Sequence, residues 1–294
     1  MTLHDAPLQA ADCLAPDWPA PPGVRALITT RVGGVSGAPY GASRAGADAG
    51  GMNLGLHVGD AAANVTRNRA RLAGLCGADA RIVWLEQIHG ARVVDAEAVL
   101  DHAEPEAAHG AHARADASVA LAPDAVCTVM VADCLPVLLT ERAGRAVGAA
   151  HAGWRGLLDG VIEASAARIA ARLGGPWQGL AYLGPCIGPS AFEVGAEVRA
   201  AFLAAARAGE RAATEAAFVA GETPGKFLCD LAALARVRLA RAGIDAVYGG
   251  DHCTVGDARF YSYRKERVTG RFAALIWRET WNPTQGQGKP ASRA

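Results

Sequence analysis

The sequence predicts one mixed α/β domain of the α+β kind, and three observations carry that prediction. Short β-prone runs are scattered from Val24 to Trp277, and four longer stretches show helical periodicity. The two kinds of element do not alternate in the regular order of a doubly wound parallel sheet. No Pro/Gly/Ser-rich linker divides the chain internally, and no long internal repeat is visible. With 294 residues, 51% of them hydrophobic, the chain has enough apolar surface to build a sizeable core and is not of the disordered class.

In order, residues 1–22 read as an irregular arm rich in Pro and Asp, followed by a catalytic domain over 23–280 and a frayed tail over 281–294. The expected strands are 24–31, 81–87, 91–98, 125–132, 136–141, 145–151, 179–183, 246–248 and 272–277. A helix over 64–75 begins on Asn64 as its cap and stops before Gly77. The helix expected over 155–173 places Leu158, Ile162, Ser165, Ile169 and Leu173 on one stripe, and Gly174-Gly175-Pro176 ends it. Further helices are expected over 195–208 and 230–242, the second closed by Gly243. Residues 102–115 hold His102, His109 and His112 in an Ala-rich context that fits a solvated surface loop better than a metal-binding tract.

Composition excludes several classes of function. Lys plus Arg and Asp plus Glu both number 29, so the basic excess of a nucleic-acid binder is missing. The N-terminus lacks a basic, then apolar, leader, and no 18-residue apolar run avoids charges or Gly/Pro breaks. Seven widely spaced cysteines in a chain this large read as reduced thiols, so a cytoplasmic location without a membrane span is expected. No apolar surface stripe is left over for a partner, which favours a monomer.

Three segments end an apolar strand with a metal-capable side chain inside a turn: Trp84-Leu85-Glu86-Gln87-Ile88-His89-Gly90, Val129-Met130-Val131-Ala132-Asp133-Cys134-Leu135-Pro136, and Val147-Gly148-Ala149-Ala150-His151-Ala152-Gly153-Trp154-Arg155-Gly156. Strand ends hold such groups rigidly at a cleft. Taken singly, each also fits a satisfied structural histidine or a small buried thiol. Neither Cys-x-x-Cys nor His-Glu-x-x-His is present, so any joint site is assembled by the fold.

Together with Thr30-Arg31-Val32-Gly33-Gly34-Val35-Ser36-Gly37, Asn53-Leu54-Gly55-Leu56-His57-Val58-Gly59-Asp60, Leu183-Gly184-Pro185-Cys186-Ile187-Gly188-Pro189 and Tyr261-Ser262-Tyr263-Arg264, these blocks resemble the YfiH, or laccase-domain, family. This family is also called polyphenol oxidase-like and includes peptidoglycan editing factors. The likeness spans roughly 24–278. It implies a single α-β-β-α layered domain, similar to the catalytic domain of cytotoxic necrotizing factors, with His89, Cys134 and His151 as metal ligands. It also implies phosphorolysis of the purine nucleosides adenosine, inosine and methylthioadenosine by inorganic phosphate, and deamination of adenosine. Two departures stand out: the long His-rich segment 102–115, and Arg264-Lys265-Glu266 where Arg-Arg-Asp is usual.

Two imidazoles and one thiolate leave a fourth tetrahedral position open, the arrangement of catalytic zinc; the same set also suits copper. Asp133 reads either as a group orienting an imidazole or as a strand-end cap. Arg155, at the start of the helix after His151, is the expected phosphate clamp. Asn53, His57, Gln87 and Arg264 read either as base or ribose contacts or as structural groups. Cys186 reads as a buried structural thiol in preference to a nucleophile. Three rivals remain: a non-enzymatic interaction module, a metal-free hydrolase of peptidoglycan precursors with Cys134 as nucleophile and His151 as base, and a copper-dependent polyphenol oxidase. The absence of any His-x-His pair counts against the oxidase.

Overall fold

Every residue of Ala125–Val131, Leu135–Glu141 and Val147–Ala152 is buried, so each of these strands must be covered on both faces. Two stacked sheets with helices on their outer sides meet that demand. The computed structural model, which describes residues 8–44, 47–102 and 113–279, shows that arrangement. The strands of the two sheets are β1 Cys13–Leu14, β2 Val24–Thr29, β3 Arg81–Ile82, β4 Val93–Asp95, β5 Ala117–Ala120, β6 Ala125–Val131, β7 Leu135–Glu141, β8 Val147–Ala152, β9 Gly179–Leu183, β10 Ala246–Gly249 and β11 Phe272–Arg278.

One sheet runs β1-β2-β11-β6-β3 and the other β10-β9-β7-β8-β5-β4. Pairing is antiparallel except at β6/β3, β9/β10 and β4/β5. Alternate residues sort the core into layers. Cys127, Val129 and Val131 of β6 meet Leu138, Val147 and Ala149 of the opposite sheet. Val126, Met130, Ala273 and Leu275 face outward onto Leu72 and Cys76 of helix α1, Ala62–Cys76. On the far side, Val137, Leu139, Ala150 and Ala152 pack on helices Val161–Leu173 and Leu231–Arg241 through Ile162, Ile169, Leu234 and Leu239. The layers are therefore α-β-β-α.

Several expected elements differ from those observed. The helix expected over 155–173 is two, Trp154–Asp159 and Val161–Leu173. Gly160 separates them at φ +93°, and its N–H caps the carbonyls of Gly156 and Leu157. The run 91–98 is strand only to Asp95; Ala96–Asp101 is helical, because the Glu97 carboxylate turns back to accept from the N–H groups of Leu121 and Ala122. The run 81–87 splits into β3 and Leu85–Glu86, which pairs in parallel with Ala113–Arg114. Helix α1 starts at Ala62, one turn ahead of what Asn64 capping required, with Asp60 accepting from the Ala61 N–H. The stretch read as an irregular arm contains β1 and the buried Leu8. His109, His112 and the tail 281–294 lie outside the described residues. No helix among the described residues is long and apolar enough to cross a membrane.

Candidate metal centre

Only Ala132, Asp133 and Cys134 separate β6 in one sheet from β7 in the other, so the chain crosses between sheets in a tight turn. Asp133 makes the turn at φ +93°, a left-handed conformation that Asp tolerates better than most side chains. Its carboxylate accepts from Thr254 Oγ1 and from the Arg264 N–H, both at 2.6 Å, and its carbonyl accepts from the Ile187 N–H at 2.8 Å. Cys134 is thereby held at the mouth of the sandwich. Asp133 does not touch an imidazole, so of its two expected roles only the strand-end one is met.

The imidazoles are organised by Asp116 instead. His151, next to last in β8, follows the parity of Val147 and Ala149 toward the space between the sheets. Its Nδ1 lies 2.9 Å from Asp116 Oδ1, with His151 3% and Asp116 0% exposed. His89 sits at φ +60° in the turn after Leu85–Glu86. The N–H groups of Ile88, His89 and Gly90 donate to the same Asp116 carboxylate at 3.2, 2.8 and 2.8 Å. Burial raises the Asp116 carboxyl, but His151 and these N–H groups outweigh it and keep the group ionised. An ionised Asp116 fixes a ring proton of His151 on Nδ1, so that Nε2 is the nitrogen a metal would take once its proton is displaced.

One ligand atom from each of His89, Cys134 and His151 lies within 4.8 Å of the others. The two imidazole rings are edge to face, 4.7 Å apart between centroids. Burial raises the Cys134 thiol, yet His151 and His89 outweigh it and pull the group well below the usual thiol range. Burial likewise depresses His151, and the Cys134 and Asp116 charges override it to hold the ring protonated. A thiolate facing two imidazoles is a donor set suited to a divalent cation, which would displace the shared proton. Gly153 leaves room for it: a Cβ there would come 2.9 Å from Cys134 Sγ and 3.3 Å from His89 Cδ2. The residues fit a metal ion.

The trio opens into a cavity of about 640 Å³. Of the expected substrate contacts, His57, Gln87 and Arg264 line it. Gln87 spends its amide on the main chain of Met130, with one bond in each direction at 2.8 Å, so it anchors the turn that carries His89. Arg264 lies over the Phe192 ring and donates to the carbonyls of Ala191 and Glu193 at 3.3 Å. Asn53 does not reach the cavity: it is buried, and its amide bonds Gly55, Asp60 and the Arg271 N–H, fastening the loop that bears His57. Arg155 does not reach it either. It is exposed, stacked over Trp154 at 4.4 Å, on a helix only six residues long that turns outward after Gly153. At the departure Glu266, the carboxylate pairs with Arg31 at 2.6 Å and with Thr269.

Sequence reasoning missed Asp116, Arg69, Arg271, Tyr263 and Phe192, the last four of which line the cavity. Arg69 donates to the Leu54 carbonyl and stacks 3.9 Å over Trp84; burial lowers it only to about 10, so it stays charged at neutral pH. Arg271 donates to the carbonyls of Thr269 and Gly270. His57 is pushed toward its neutral form by burial and by Arg271, Arg69 and His89. Cys186 is buried, with its thiol raised by burial, in line with a structural role.

Fold and site together define a four-layer α/β protein with a candidate His₂Cys centre at one end of its paired sheets. The chain belongs to the YfiH-type family whose model is described as multi-copper polyphenol oxidoreductase laccase, matched over residues 25–279. A Pseudomonas aeruginosa protein named purine nucleoside phosphorylase PA4543 is 48% identical over 268 residues, covering 90% of this chain and 97% of its own length. Purine nucleoside phosphorylase YfiH of Escherichia coli K12 is 45% identical, covering 90% and 98%. The crystal structure of Neisseria meningitidis protein NMB0706 superposes with a TM-score of 0.76 at 44% identity, covering 92% of this chain and all of that one. That of YlmD from Geobacillus stearothermophilus gives 0.80 at 28% identity, covering 93% and 98%.

Proposed function

We propose that this protein is a zinc-dependent purine nucleoside phosphorylase. In this reading it converts adenosine, inosine or methylthioadenosine and inorganic phosphate into the free base and ribose 1-phosphate. The names carried by relatives at 45–48% identity support it. The observation that carries it is the charge of the cavity. Its lining includes Arg69, Arg264 and Arg271 and two acidic residues, Glu86, which is paired with Arg114, and Asp133, which accepts from Thr254 and the Arg264 N–H. Such a cavity favours an anionic co-substrate beside the His₂Cys trio.

His89, Cys134 and His151 would hold the zinc. Bound there, zinc supplies Lewis acidity and lowers the pKa of coordinated water. Arg264 and Arg271 take the role expected of Arg155 and bind phosphate, holding one oxygen toward the anomeric carbon. The new C–O bond forms there as the glycosidic C–N bond breaks, and the base leaves with its electron pair. Leu56, Ile187, Phe192 and Tyr263 offer apolar and aromatic walls for the purine. His57, kept neutral, offers one N–H and one lone pair to the ribose or base. Deamination of adenosine would draw on the same centre.

The test is chromatographic. Protein of measured zinc content, given adenosine, is expected to release adenine and ribose 1-phosphate only when phosphate is present, and Cys134→Ala is expected to abolish release while the variant stays folded. Equal release without phosphate, or turnover by the folded Cys134→Ala protein, defeats the reading.

One observation favours a second reading. Cys134, His151 and Asp116 form a thiolate–imidazole–carboxylate series, the arrangement of a Cys–His hydrolase that would act on peptidoglycan precursors. It leaves His89 without a role, and it predicts activity that survives complete chelation. Copper-dependent polyphenol oxidation rests on the family's description alone. Among the described residues there is one three-ligand group, where a multicopper enzyme needs several.

A further inference from the structure

We infer that Asp116 is the positioning residue for both imidazoles of the centre, and that it sets which nitrogen of His151 faces the metal. The inference rests on the reading that His89, Cys134 and His151 bind a divalent cation. Two topological facts place Asp116 between the segments that carry the two histidines. It directly precedes β5, which pairs with β8, and its carbonyl accepts the His151 N–H at 2.7 Å. Its own N–H donates to the Arg92 carbonyl, which follows the turn holding His89 and leads into β4.

The carboxylate is fully used. Oδ1 takes the His89 N–H and the Nδ1–H of His151; Oδ2 takes the N–H groups of Ile88 and Gly90. An ionised carboxylate has about four acceptor positions, so none remains for a metal, a substrate or a transferred proton. Asp116 is therefore neither ligand nor general base. It acts through the histidines. Holding three successive N–H groups keeps His89 in its left-handed conformation, and holding Nδ1–H of His151 makes Nε2 the nitrogen whose proton a metal would displace.

Asparagine is isosteric but cannot reproduce this. With its amide nitrogen on the outer side, the NH₂ meets the N–H groups of Ile88 and Gly90, donor against donor. Flipped, the NH₂ opposes the His89 N–H and forces Nδ1 of His151 to accept, moving the ring proton to Nε2, the atom the metal needs.

The experiment titrates metal-free protein with zinc against a chromophoric chelator. Wild-type protein is expected to bind one zinc per chain, and absence of binding removes the metal reading and this inference with it. Given wild-type binding, folded Asp116→Asn is expected to bind zinc about 10- to 100-fold more weakly. Unchanged affinity overturns the positioning role while leaving the metal reading standing, even if the variant melts earlier. Should Asp116→Asn not fold, nitrogen-15 spectra of zinc-loaded wild-type protein decide. A protonated Nδ1 and a coordinated Nε2 at His151 are expected, and the opposite tautomer overturns the inference.

Discussion

The main-chain N–H of Arg264 donates to the Asp133 carboxylate at 2.6 Å, tying the turn that carries Cys134 to the wall of the cavity 131 residues later in the chain. The same carboxylate accepts from Thr254, so one side chain at φ +93° joins three segments. Asp133→Gly removes both bonds but suits the backbone, whereas Asp133→Ala removes the bonds and adds a Cβ in a left-handed conformation. Each variant is expected to lose about 1–3 kcal/mol, with Ala the less stable. Thermal melts of zinc-free protein check the order; Ala melting at or above Gly removes the argument from strain.

Gly153 tests the room between the ligands. Its φ and ψ of −62° and 161° suit any residue, so Gly153→Ala should leave the backbone undisturbed. The added methyl would stand 2.9 Å from Cys134 Sγ, closer than real contacts allow, and must push the sulfur or the His89 ring aside. A displacement on the order of 1 Å at a reacting centre costs about 100-fold in rate. The variant is expected to stay folded in metal-free form but to lose zinc affinity and at least about tenfold in kcat/KM. Wild-type activity in Gly153→Ala would mean that the ligands do not converge on this space.

How much of this was legible beforehand depended on distance along the chain. His89, Cys134 and His151 stood out because each closes a β-prone run, and their convergence then followed from the family likeness. Arg69 also left a local trace, a charge on the stripe that buries Val65 and Leu72 of α1. Asp116 left none: its partners lie 26 to 35 residues away, and nothing in Ala115-Asp116-Ala117 marks it. Strands of two to four residues, such as β3 and β5, are too short to show a period. Gly160 read as an interior residue of one long helix, since the stripe continues across it. Arg155 stood out because a helix start is a generic anion site, and only packing decides whether it faces a cleft or, as here, solvent.

Cysteine reactivity follows from the opposed shifts of the thiols. Cys134 is pulled down by His151 and His89 against the effect of burial, while burial pushes Cys127 and Cys229 up to about 12 and Cys186 higher still. In metal-free protein at neutral pH, iodoacetamide is expected to alkylate Cys134 well before these three, and bound zinc to protect it. Because the thiolate is already the major form at pH 7, raising the pH to 9 should change the rate little. It should fall only when acid is added through the lowered pKa. Peptide mass spectrometry reads the site; a Cys134 rate that climbs about tenfold per pH unit from 7 to 9 would show an ordinary thiol.

The last prediction separates the two arginine assignments. Arg155 is exposed and stacked on Trp154, outside the cavity, so Arg155→Ala should leave the KM for phosphate within about twofold of wild type. Arg264 lines the cavity, and among the described residues its side chain lies over Phe192 and donates to two main-chain carbonyls at 3.3 Å. Removing it deletes a charge-assisted contact to the anion, with a cost of about 1.5–3 kcal/mol, or on the order of 10- to 100-fold in KM for phosphate. Arg264→Lys keeps the charge but not the two-pronged geometry and should fall between. Steady-state phosphorolysis at varied phosphate and saturating nucleoside measures all three. If Arg155→Ala raises the phosphate KM and Arg264→Ala does not, the anion lies at the helix start, and the cavity's guanidiniums serve the nucleoside instead.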